Sequence, residues 1–153
     1  MDNLQSSTSP KPNSRRGPQI LRLAHIAMVV EEIEPALAFW RDLLGLPLSH
    51  LEEVPEQDSM VAFLPLEGAE VELVRPTQET SGVARYLQKR GPGIHHVCFE
   101  VDDLEAMLAR LKKAGIRLIQ EEPVMGTGGQ KIAFLHPQST YGVLVELYQA
   151  PPS

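Results

Sequence analysis

GPGIHHVCFEV, residues Gly91 to Val101, decides how this chain is read, because two adjacent histidines open an apolar, strand-forming run. Neighbouring side chains in a strand point to opposite faces, so His95 and His96 cannot do the same job and one of them faces a site. An earlier stretch, LAHIAMVV (Leu23 to Val30), opens a run of the same kind with His25. That echo predicts a duplicated unit.

Working outward from each histidine, the same order of elements follows twice. After the Leu21 to Val30 strand, Glu31, Glu32 and Glu34 put negative charge at a helix start and Pro35 suits its first turn. Ile33, Ala36, Leu37, Trp40, Leu43 and Leu44 then recur at helical spacing until Gly45. Leu46 to Glu53, Met60 to Leu64 and Ala69 to Val74 read as three further strands, with a turn at Glu67 and Gly68. A connector with a short helix over Ser81 to Arg90 leads to the Ile94 to Val101 strand. In the second copy Asp102 and Asp103 start a helix whose stripe is Val101, Leu104, Met107, Leu108 and Leu111, ended by Gly115. Its strands are expected at Ile116 to Glu121, Lys131 to Leu135 and Gly142 to Tyr148, with a glycine-rich loop from Pro123 to Gly129.

The repeat is also visible residue against residue. VAFLP (Val61 to Pro65) answers IAFLHP (Ile132 to Pro137), and VELVR (Val71 to Arg75) answers VELYQ (Val145 to Gln149), in the same order. The expected fold class is α+β: two tandem βαβββ modules, about 20–76 and about 93–149, joined by a connector over 77–92 and pairing into a cupped, barrel-like mixed sheet. Residues 19–153 form one domain in this reading, and residues 1–18, rich in Ser, Pro and Asn, form a disordered tail.

Composition narrows the functional classes. A formal charge of −6 with no basic block argues against nucleic acid. No stretch reaches the roughly 20 apolar residues that span a bilayer, and the tail lacks the apolar segment of a secretory signal despite Arg15 and Arg16. Cys98 is the only cysteine, which excludes an intrachain disulfide and favours a reducing, cytoplasmic setting.

If the modules pair, equivalent residues meet across a pseudo-twofold axis. The polar residues at equivalent places are His25 with His96 and Glu72 with Glu146, all in otherwise apolar strands where unpaired charge is costly. Singly, each reads as an ordinary packed histidine or a solvent-facing glutamate. Jointly, two imidazoles and two carboxylates form a ligand set that balances a divalent cation: cobalt, manganese, nickel, iron or zinc. His95 falls on the other face and is assigned to packing or to support behind the site. His50 and His136 are not expected as ligands, and Cys98 reads as a small buried residue.

At these residues the chain resembles the vicinal oxygen chelate superfamily (glyoxalase/bleomycin resistance/dioxygenase), and within it the methylmalonyl-CoA epimerase group. HIAMVV, EEVPEQ, VAFLPL, VELVRP, YLQKRGPGIHHVCFEVDDLE and EEPVMGTGGQKIAFLHPQSTYGVLVEL carry the likeness across most of residues 22–149. The resemblance implies a glyoxalase-like fold, a divalent metal on His25, Glu72, His96 and Glu146, a small-molecule acyl-CoA substrate and a homodimer. It also implies an isomerase that moves the proton between carboxylate and thioester, with Glu146 as one base. Where some members carry a second acid/base glutamate in the third strand, this chain has Val61. The glycine-rich loop, with Gly128, Gly129, Lys131, Ser139 and Thr140, is the expected contact for the CoA arm, or else an ordinary hairpin. Two alternatives remain: a glyoxalase I-type lactoylglutathione lyase, and a non-catalytic small-molecule binding or resistance protein.

Overall fold

The computed structural model describes residues 17–152, so almost all of the amino-terminal tail assigned from composition lies outside the described residues. The chain runs β1 (Ile20–Val29), α1 (Ile33–Leu37), β2 (His50–Val54), β3 (Ser59–Leu66), β4 (Ala69–Pro76), α2 (Gly82–Arg90), β5 (Gly93–Val101), α3 (Leu104–Lys113), β6 (Val124–Met125), β7 (Lys131–Leu135) and β8 (Val145–Gln149). All eight strands join one curled mixed sheet in the order β2-β3-β4-β1-β5-β8-β7-β6. That order reads the same outward from its centre in both directions. β1 and β5 pair antiparallel in the middle, β1 pairs β4 in parallel, and β5 pairs β8 in parallel.

Alternation along the strands sorts side chains between the two faces. On the outer face α1 covers Ala62, Leu64 and Leu73 with Ile33 and Leu37. α3 covers Ala133, Leu135 and Leu147 with Leu104, Met107 and Leu108, the stripe expected from its spacing. Asp103 caps α3 by accepting from the Ala106 amide, and Gly115, at a φ of 83°, ends it. On the inner face Ala27, Val54, Val61 and Val74 pack together in one half, and Ala24, Cys98, Ile132 and Tyr148 in the other.

Three expectations need correction. α1 stops at Leu37 and continues as a π-helical turn, Ala38–Leu43, in which the Leu44 amide bonds the Phe39 carbonyl. The wider turn rotates Leu43 and Leu44 off the inward stripe, so they are 82% and 54% exposed instead of packed. The second strand begins at His50 and not at Leu46. In the second module Ile116 to Glu121 is not a strand; only Leu118 bridges to Leu135, and the edge position is taken by the two residues Val124 and Met125 within the expected loop. Both errors lie at sheet edges, where one neighbour instead of two selects the strand.

Candidate active site

The site is built at the centre of the inner face, where β1, β4, β5 and β8 lie side by side. Ala27 pairs with Glu72 across β1 and β4, and Cys98 pairs with Glu146 across β5 and β8. These are equivalent places in the two modules. The antiparallel register sets His25 beside Cys98 and Ala27 beside His96, so each histidine lies next to its partner module's small residue and can lean over it.

Three of the four expected ligands converge. Nε2 of His25 and Nε2 of His96 are 3.2 Å apart, and Oε2 of Glu146 is 3.2 Å from the first and 3.0 Å from the second. Among the described residues these three form a group whose donor atoms all lie within 4.8 Å of one another. Glu72 stands just outside it, its Oε2 3.4 Å from His25 Nε2. Two donors bonded at about 2.1 Å and at right angles to a common ion stand about 3.0 Å apart, so the edges of the triangle fit a six-coordinate transition-metal ion. The mixed nitrogen and oxygen donors fit a divalent cation.

The electrostatics of the cluster differ from ligand to ligand. Burial would raise Glu146, but hydrogen bonds from His25 and His96 bring it down to about 2. Burial pushes Glu72 up to about 7 against the pull of His25. Burial by itself would lower His25, yet the bond to Glu146 and the charges of Glu72 and Glu146 leave it raised. Burial and the neighbouring carboxylates push the Cys98 thiol up, so it is a packed, unreactive group.

The cluster opens into a cavity of about 420 Å³. Its walls include Val54, Val61, Phe63 and Ile132 on the apolar side and Glu70, Glu72 and Glu146 on the acidic side. Among the described residues Arg22 is the one arginine or lysine on the wall, and its guanidinium is taken by Glu100 at 2.6 Å and the Tyr148 hydroxyl at 2.9 Å.

Other expected residues are placed elsewhere. Gly126, Gln130 and Ile132 reach the cavity from the glycine-rich segment, whereas Gly128 and Gly129 are not on its wall. Lys131 faces the opposite way and pairs with Glu105 of α3 at 3.3 Å. The Ser139 hydroxyl accepts from the Arg117 amide, and the Thr140 hydroxyl bonds the Pro137 and Val143 carbonyls. His50 stacks on Phe63, and His136 accepts from the Gln138 amide, so neither joins the cluster.

His95 is the residue that strand alternation misplaced. Ala27 faces His96 and Met28 faces Ile94, so His95 is the extra residue of a β-bulge in β5. Ala24 is the extra residue of a bulge in β1, at the position the repeat equates with His95. The bulge swings the His95 ring round beside its neighbour, Nδ1 to Nδ1 at 2.8 Å, with Tyr86 of α2 packed edge-on against it. Burial and the charge of His96 push His95 down to about 4, so it is neutral at ordinary pH.

Comparison with known proteins follows the same geometry. Residues 24–134 match the model of the Glyoxalase/Bleomycin resistance protein/Dioxygenase superfamily. The chain is 42% identical over 130 residues to the mitochondrial methylmalonyl-CoA epimerase of Homo sapiens, covering 84% of this chain and 74% of that one. The methylmalonyl-CoA epimerase structure from Mycobacterium tuberculosis superposes with a TM-score of 0.79 at 37% identity, covering 87% and 90% of the two chains. A variant of the Streptomyces coelicolor epimerase, in complex with 2-nitronate-propionyl-CoA, gives a TM-score of 0.79 at 32% identity and covers 88% of this chain and all of that one.

Proposed function

Because the chain belongs to the glyoxalase/bleomycin resistance protein/dioxygenase superfamily, we propose that it is a divalent-cation-dependent isomerase interconverting the (R) and (S) forms of methylmalonyl-CoA. The observation that carries this reading is the triangle of His25, His96 and Glu146 at the floor of an open cavity, in a fold shared with epimerases. The chain's likeness to those epimerases favours this substrate over the hemithioacetal of a lactoylglutathione lyase.

The reaction removes the proton between a carboxylate and a thioester and returns one to the other face. The substrate is anionic, and the wall it meets carries Glu70, Glu72 and Glu146, with Arg22 already paired. Without added positive charge this wall repels the substrate. His25, His96 and Glu146, with Glu72 as a fourth ligand, would hold the cation, which would supply that charge and stabilise a developing enolate.

The chain's own groups do the rest. Glu146, at the floor of the cavity, is the acceptor for the proton in this reading. Val54, Val61, Phe63 and Ile132 give the acyl group an apolar wall that keeps the local dielectric low. The second transfer does not come from the β3 position, since Val61 is a buried aliphatic residue there. The CoA arm leaves past Gly126 and Gln130, and the turn Thr127–Gly129 between them is the backbone segment assigned to it. Lys131, Ser139 and Thr140 are less suited to that role, being engaged by Glu105, Arg117 and Pro137.

Exposed Phe39, Leu43 and Leu44 support self-association as a homodimer. No described helix is long and apolar enough to cross a membrane. The single cysteine supports a reducing compartment, the cytoplasm in this reading.

The test is incubation of the cobalt-loaded protein with one epimer of methylmalonyl-CoA in deuterium oxide. Deuterium at the α-carbon together with the other epimer is the expected result. Production of lactoylglutathione from methylglyoxal and glutathione, without that exchange, overturns the assignment.

A further inference from the structure

We infer that His95 is a positioning residue for His96, accepting the hydrogen bond that fixes which ring nitrogen of His96 is free to bind the cation. The inference rests on the cation reading of the cluster, and it concerns a residue outside the ligand set.

His96 turns Nε2 toward Glu146 and His25, at 3.0 Å and 3.2 Å. Its other nitrogen, Nδ1, lies 2.8 Å from Nδ1 of His95. A neutral imidazole has one N–H and one lone pair, so the proton on one nitrogen decides the chemistry of the other. For Nε2 to give its lone pair to an ion, the proton of His96 must sit on Nδ1, where it has to be donated. The side chain of His96 is almost buried, so a proton left there without an acceptor is costly. His95 accepts it through its own Nδ1 and carries its proton on Nε2.

Two features hold His95 in place for this. The bulge at His95 brings two side chains that are adjacent in sequence onto one side of β5, which regular pleating forbids. Tyr86 packs edge-on to the His95 ring at 4.9 Å between centroids and donates its hydroxyl to the Ile94 carbonyl, tying α2 to the bulged segment. The first module has the matching bulge but places Ala24 in it, so this support is given to His96 and not to His25. The pair is thus asymmetric where the ligands are symmetric.

The test compares the full chain with His95→Phe, which cannot accept, and His95→Asn, whose amide oxygen can. Cobalt affinity is measured by competition with a chelator, and the His96 tautomer in the zinc-loaded, ¹⁵N-histidine-labelled protein is read from long-range ¹H–¹⁵N spectra. Expected are a proton on His96 Nδ1 in the unsubstituted chain, a roughly 10–100-fold loss of affinity in His95→Phe, and recovery of most of that loss in His95→Asn. Unchanged affinity in His95→Phe overturns the inference while leaving the cation site standing. A loaded His96 with its proton on Nε2 also overturns the inference, and with it His96 Nε2 as a ligand, a result that needs no variant to fold. An unsubstituted chain that binds no cobalt overturns the inference together with the cation reading beneath it.

Discussion

His25 and His96 hold their Nε2 atoms 3.2 Å apart, and both reach the same oxygen, Oε2, of Glu146. Removal of either ring deletes one corner of that triangle. His25→Ala and His96→Ala are therefore expected to lose stoichiometric cobalt and at least about a hundredfold in epimerisation, while melting near the metal-free parent. Elemental analysis of the purified variants together with the exchange assay checks both halves of the statement.

Cation binding competes with protons. His25 is raised above its ordinary value and Glu72 reaches about 7, so near neutral pH both carry protons for part of the time. Both must release them to act as ligands. Affinity should rise with pH from about 6 to 8. Calorimetry at pH 6.5 in two buffers of different ionisation enthalpy should show net proton release, and identical heats in the two buffers would contradict this.

Stability of the metal-free protein should depend on pH through the same residues. A folded-state value raised above the unfolded one gives stability that is full below the unfolded value and lost as pH rises through the folded value. For Glu72 that window runs from 4.5 to about 7, and His25 acts in the same direction. The Glu146 contribution has the opposite sense and is lost as pH falls from 4.5 to about 2. The metal-free chain should thus be less stable at pH 8 than at pH 5, with Glu72 responsible for on the order of 3 kcal/mol. Glu72→Gln should flatten most of that slope in urea titrations; an unchanged slope would assign it to another group.

The pattern of success in the sequence has a physical basis. The meeting of His25, His96 and Glu146 was legible because the repeat equates strand positions, and two strands on equivalent paths present equivalent faces. Glu72 and Glu146 each flank a small residue, Ala27 or Cys98, in a parallel ladder. His95 was misread because period-2 alternation assumes an unbroken ladder, and a bulge adds one residue without a composition signal. The only available hint was the repeated histidine itself. Leu43 and Leu44 failed for a similar reason, since helical spacing assumes a uniform 3.6 residues per turn and the π-turn departs from it. The Ile116 to Glu121 segment is apolar enough for a strand, but sheet edges are chosen by tertiary pairing, which local sequence does not record.

Glu146→Gln should separate charge from shape. The amide keeps nearly the volume of the carboxylate but cannot take a proton, and it leaves the two imidazoles facing a neutral group. Deuterium wash-in at the α-carbon should fall by about 10²-fold or more, in line with loss of a general base. The fold should persist, since β8 keeps Leu147 and Tyr148 in the two cores. Wash-in within about twofold of the parent would remove Glu146 from the proton path.

Val61 offers the remaining check, because the family resemblance would put a second acid/base glutamate at its place in β3. It is 2% exposed and packs with Ala27, Val54 and Val74 while also lining the cavity. Its contribution is apolar contact, so Val61→Ala should lower stability by roughly 2 kcal/mol and reduce exchange by less than about tenfold. Val61→Glu puts a carboxylate among aliphatic side chains a short way from Glu72, and desolvation together with like-charge repulsion should make it the less stable of the two. Urea titration ranks the variants, and the exchange assay at saturating cobalt reads their chemistry. Should Val61→Ala abolish exchange while remaining folded, the β3 position would have a part in proton transfer that an aliphatic side chain cannot supply by itself.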